Sequence, residues 1–123
     1  MTNSFMDKYS AKNEHIPYAK KPELEGQLFT IVDYKLVKNK KQYDGVTLMD
    51  TYEVVIDTEE HGEYKVDFAR GSGDNPRPMF TLFANMDADN HAIPPKDLIF
   101  TLANDSYVSA GKTWTNYVIK TVE

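Results

Sequence analysis

The feature that most limits what this chain can fold into is the run from Gly26 to Lys38, GQLFTIVDYKLVK. It is rich in β-branched and aromatic residues and free of proline, so it reads as one strand. At about 3.3 Å per residue it would span about 40 Å, twice an ordinary strand. A flat ribbon of that length outruns a small domain, so the strand has to bend. The apolar phase says where. Phe29 and Ile31 share one face and Tyr34 and Leu36 the other, with the slip at Val32-Asp33. Such a slip is the signature of a β-bulge. A long first strand that curls and meets different partners along its two halves begins a small barrel. A plain central strand of an open sheet is the alternative.

The remaining patterns fit the barrel. Thr51 to Asp57 (TYEVVID) alternates Tyr52, Val54 and Ile56 against polar neighbours, and Glu63 to Ala69 (EYKVDFA) alternates Tyr64, Val66 and Phe68. With the first strand these make an antiparallel meander. The period then changes. Asp74-Asn75 can cap a helix that Pro76 opens, with Met79, Leu82, Phe83 and Met86 as its apolar stripe. A fourth strand over Asp97 to Ala103 and a fifth over Thr113 to Val122 follow, the latter with Thr115, Tyr117 and Ile119 inward and Trp114, Asn116, Val118 and Lys120 on the other face. Three strands, a short helix and two strands predict an all-β fold with one helix, the five-stranded OB-fold barrel. Residues 26–123 form the domain, and residues 1–25 read as a flexible N-terminal arm, pinned at most by Ile16, Pro17 and Tyr18.

Composition bounds function by exclusion. The chain has no cysteine, so it builds neither disulfides nor thiolate metal sites. No apolar run resembles a signal peptide or a membrane span, which with the missing cysteines points to the cytoplasm. Asn104-Asp105-Ser106 is a glycosylation acceptor only on a secretory route. His15, His61 and His91 are far apart and lack metal-ligand spacing. Asp87-Ala88-Asp89-Asn90-His91 begins like a calcium loop but lacks its glycine and distant glutamate. Ser106 has no nearby base, and the acids between Asp44 and Asp67 suit a solvated sheet face better than a nuclease centre. The expectation is binding without catalysis, cofactor or metal.

The formal charge of −5 argues against coating nucleic acid by bulk charge. It leaves room for a local basic groove. Lys35, Lys38, Lys40 and Lys41 occur with no acid between Asp33 and Asp44, and Tyr43 follows them. In the barrel this run joins strands one and two. Arg70 and Arg77 flank the start of the helix, and Tyr107, Lys112 and Trp114 belong to the connection between strands four and five. These two loops, with the face of strands two and three, are where OB-folds hold oligonucleotides. A single strand offers charged phosphates and unstacked bases, so a binder wants cations along a groove and flat rings beside it. Lys38, Lys40, Lys41, Arg70, Arg77 and Lys112 are the phosphate candidates. Tyr43, Tyr52, Tyr107 and Trp114 are the stacking candidates, Tyr52 being the weakest because its alternation partners look buried. A solvated lysine turn with ordinary loop aromatics is the plain alternative.

Two stretches carry a resemblance. DLIFTLANDSYVSAGKTWTNYVI resembles the last two strands and intervening loop of small single-stranded DNA-binding proteins, notably those encoded by phages of Gram-positive bacteria, and FTIVDYKLVKNKKQYDG resembles their first strand and loop. The likeness implies an OB barrel that sequesters single-stranded DNA in replication or recombination, often as a homo-oligomer and alongside replication or recombination proteins. Cellular members usually carry a flexible acidic tail, whereas here the sequence given stops at Lys120-Thr121-Val122-Glu123. A protein–protein adaptor or host-modulating factor on the same barrel, and a carbohydrate-binding β-domain, are the competing readings.

Overall fold

A computed structural model of the chain describes residues 16–71 and 73–122, apart from the side chains of Ser109 and Trp114. The first strand, β1, runs from Leu28 to Lys41, even longer than the sequence pattern suggests. It bends at two register shifts along its pairing with β2 (Leu48–Thr58), one between Ile31 and Asp33 and one between Val37 and Lys40. The first is the expected bulge at Val32. Its consequence is larger than a change of phase: the extra residue returns Tyr34 to the face already held by Phe29 and Ile31, and all three are buried. The second bulge was not expected. It places Asn39 at φ +51, and the Asn39 N–H takes the Asp50 carboxylate as acceptor at 3.0 Å.

β2 pairs antiparallel with β3 (Gly62–Ala69), completing the meander. At its start β1 also pairs with β4 (Phe100–Asn104), and β4 pairs with β7 (Tyr117–Thr121). The result is a mostly β protein around a five-stranded antiparallel sheet in the order β3-β2-β1-β4-β7. β1 has two partners, but they overlap at its first residues instead of dividing its two halves. Sheet hydrogen bonds do not join β3 to β7 among the described residues, so the sheet is open there.

The helix begins later than its cap signals imply. α2 spans Pro78–Ala88 with Arg77 in the capping position, and neither Asp74 nor Asn75 serves as cap. Pro78, not Pro76, takes the first helical position that a missing N–H makes harmless. The inner face is also rotated. Phe83 is fully buried and Met79, Phe80, Ala84 and Met86 pack on the core, while Leu82 is 38% exposed. Phe83 stacks on Phe68 and meets the rings of Tyr34 and Tyr52, so α2 closes the core over the inner face of β1, β2 and β3. Burying a ring of this size contributes about 1.5–3 kcal/mol.

The expected fifth strand is two elements. Lys112–Trp114 (β6) turns back on Tyr107–Ser109 (β5) as a separate hairpin, and only β7 joins the sheet. Tyr117 and Ile119 pack inward as expected, but Thr115 lies between β6 and β7 and is exposed.

Residues 16–25, expected in the arm, pack against the sheet. The Lys65 N–H donates to the Pro17 carbonyl at 2.8 Å, and the Ala19 N–H donates to the Lys65 carbonyl at 2.9 Å, so residues 17–19 run parallel along the outer edge of β3. A single turn, α1 (Lys21–Leu24), follows with a proline in its first turn and Leu24 in the core. The segment ends beside β4, where the Gly26 N–H reaches the Leu102 carbonyl. Residues 1–15 lie outside the described residues. No helix among the described residues is long and apolar enough to cross a membrane.

Candidate nucleic-acid interface

A cleft of about 620 Å³ opens where the end of β1, the N-terminal segment and the approach to α2 converge. It is lined by Lys20 and Lys21, by Lys40, Lys41 and Tyr43, and by Arg77, with Tyr18 and Asp67 completing its polar walls. In a chain of net charge −5 this is a concentration of positive charge. Low-dielectric walls focus such a field.

Each wall has a local cause. Residues 42–47 form a turn knotted by Asp44: its carboxylate accepts from the Val46 N–H at 2.9 Å, the Thr47 N–H at 2.8 Å and the Thr47 hydroxyl at 2.5 Å. The Thr47 hydroxyl first, then the two backbone donors, hold the Asp44 carboxyl below its usual range. Gln42 fastens the base of the turn, its side chain donating to the Lys40 carbonyl and the Thr51 hydroxyl. The knot leaves Tyr43 wholly exposed, at 102%.

Arg77 is positioned by the loop before α2. Its N–H donates to the Arg70 carbonyl at 2.9 Å, and the Arg70 guanidinium donates to the Gly73 and Asp74 carbonyls. Arg70 is therefore a brace of the loop, and Arg77 is the cation that reaches the cleft. The close approach of Arg77 to Gly71 requires the missing side chain there.

Lys40 departs from its expected role. Its ammonium lies 2.7 Å from Glu53 Oε2 and 2.6 Å from Asp67 Oδ2, and it donates to the Tyr18 hydroxyl at 3.0 Å. Burial pulls its pKa down, but the hydrogen bonds to Asp67, Glu53 and Tyr18 outweigh it and hold the group far above an ordinary lysine. Lys40 is thus the hub of an ion cluster that anchors Tyr18, whose ring also lies 4.7 Å beneath it. By contrast Lys20, Lys21, Lys41 and Arg77 form no ion pair among the described residues.

Tyr52 is withdrawn as a stacking residue. It is 3% exposed, packs on Phe80 and Tyr34, and directs its hydroxyl to Asp87 at 3.3 Å. Lys38 is exposed on β1 but does not line the cleft. Tyr107, Lys112 and Trp114 are gathered on the β5–β6 hairpin, where Tyr107 faces Trp114 in register. That hairpin follows β4, which meets β1 only at Leu28 and Phe29, whereas the lysine turn hangs from the other end of β1. Neither Tyr107 nor Lys112 lines the cleft. The stacking role of the Trp114 ring lies outside the described residues.

The cleft instead recruits Tyr18, Lys20 and Lys21, which sequence reasoning assigned to the arm. The signal was present in Lys-Lys-Pro-Glu-Leu, where a proline can open a helical turn that carries Leu24 inward. A second polar cluster sits apart from the cleft. His91 bridges Asp87 at 2.8 Å through Nδ1 and Asp33 at 2.9 Å through Nε2, tying the loop after α2 to the first bulge of β1. Among the described residues no group of three or more His, Cys, Asp or Glu side chains could hold a metal ion. No protein-family model matches this chain, and no curated protein or solved structure matches it.

Proposed function

We propose that the chain is a non-catalytic binder of single-stranded DNA, built as an OB-fold barrel and acting in DNA replication or recombination in the manner of the small phage proteins it resembles. One observation carries the reading: four cations without ionic partners among the described residues share a cleft with two tyrosines, on a protein that is otherwise acidic. Unpaired lysines and arginine meet phosphates, and an exposed ring beside them meets a base. The order of the sheet, with β1 shared between β2 and β4 and α2 set between β3 and β4, supports the barrel. Oligomers and replication partners belong to the same proposal.

The test is a titration of labelled oligo-dT followed by anisotropy at low salt and again at about 0.2 M. Binding that weakens steeply with salt is expected, because each neutralised phosphate releases counterions. Lys41→Glu should weaken it further. Absence of any binding at low salt overturns the reading. In that event the adaptor reading gains, favoured by the exposure of Tyr107 and Val108 on the β5–β6 hairpin.

A further inference from the structure

Lys21 forms no ion pair among the described residues. It opens α1 and is half-buried, with its ammonium 4.7 Å from the centroid of the Phe68 ring. An ordinary surface lysine escapes a neighbouring cation by extending into water. Here the backbone is anchored on both sides, by Leu24 in the core and by Ala19 hydrogen-bonded to Lys65, and the ammonium lies over the Phe68 ring. The charged groups facing it are Arg77 from the approach to α2, Asp67 from β3, and Lys40 and Lys41 from β1 across the cleft. Asp67 attracts Lys21, but its Oδ2 is engaged by Lys40 at 2.6 Å, and its pull is outweighed by burial and by Arg77. Burial first, and the charge of Arg77 second, hold the Lys21 ammonium below the usual lysine range. Two cations retained side by side in a partly dry cleft cost free energy that an anion between them would return.

We propose that Lys21 and Arg77 form a phosphate clamp, gripping one phosphodiester of the bound strand between the N-terminal segment and the start of α2. The inference rests on the single-stranded DNA reading and deepens it by naming a subsite. Arg77 supplies a planar fork of donors and Lys21 a compact charge, a pairing suited to adjacent oxygens of one phosphate. The N-terminal segment is then a wall of the binding cleft.

The experiment compares wild type, Lys21→Met and Lys21→Arg in oligo-dT titrations across salt. Methionine keeps the apolar stem over Phe68, so the variant should fold. Loss of one phosphate contact lowers the salt slope by about 0.7 and weakens binding about fivefold at 0.1 M salt. Lys21→Arg should restore both, and should bind with less decline than wild type as pH rises towards the ordinary lysine pKa of about 10.4, because a depressed lysine loses its proton first. If wild type binds and Lys21→Met matches it in affinity and slope, the clamp is overturned while the DNA reading stands. If wild type itself fails to bind, both fall together.

Discussion

Arg77 lies across Gly71 so closely that a Cβ on the glycine would stand 3.1 Å from both its Cγ and its Nε. Gly71 also holds φ at +92°, a backbone conformation that side chains resist. Gly71→Ala is therefore expected to act twice. It should destabilise the protein by about 1–2 kcal/mol through backbone strain. It should also push Arg77 from the cleft wall and weaken oligo-dT binding. Urea denaturation and anisotropy on the same variant separate the two effects.

Tyr43→Ala is expected to leave stability within about 0.5 kcal/mol of wild type, since the ring touches nothing it would miss. Binding should weaken by about 1–3 kcal/mol, the worth of one base stacked on an aromatic ring. Asp44→Ala should weaken binding too, by letting the turn that presents the ring relax. Unchanged affinity in Tyr43→Ala removes this residue from the interface.

Lys40→Met removes the charge that Glu53 and Asp67 share. Burial works to raise the Glu53 pKa, but the hydrogen bond and charge of Lys40 prevail and hold it below its ordinary value near 4.5. A carboxyl depressed in the folded state adds stability above that ordinary value, and the gain is lost as pH falls through the folded one. The variant should lose about 1–3 kcal/mol at pH 7, between the values for exposed and buried pairs. Its deficit should shrink towards pH 3. Chemical denaturation at the two pH values checks the sign.

His91 works in the opposite direction. Hydrogen bonds to Asp87 first and to Asp33 second raise its pKa above 6.5. The charged imidazole therefore stabilises the fold fully below about pH 6.5, and this contribution fades as pH rises through the higher folded-state value. The Tm of wild type should fall over that interval more than the Tm of His91→Gln, in which the dependence flattens. A parallel decline in both proteins would show that the clasp contributes nothing.

What could be read from the sequence divides by range. The Val32 bulge was legible because a slip in a two-residue period is a local property of the chain. The alternation with Val54 and Ile56 pointed to the burial of Tyr52 in the same way, against its place among the stacking candidates. The β5–β6 hairpin was not. Its two turn residues are Ala110 at φ +54 and Gly111 at φ +76, and alanine seldom advertises a turn that asparagine would make plain. The helix start was displaced because Asp74 and Asn75 look like caps, while the loop they occupy is used to carry Arg77 back to Arg70. Lys20 and Lys21 were invisible as interface residues for a different reason. Their placement depends on Pro17 and Ala19 meeting Lys65, a contact that no local pattern encodes.

That contact has a bearing on how the polypeptide is made. Pro17 and Ala19 are synthesised before Lys65, so the segment that covers the outer rim of β3 is already in place in the chain when that strand is made. Without that segment, the rim would present unpaired amides and carbonyls to a strand of a second copy. Truncating the chain ahead of β1 would therefore expose a pairing edge as well as remove a wall of the cleft.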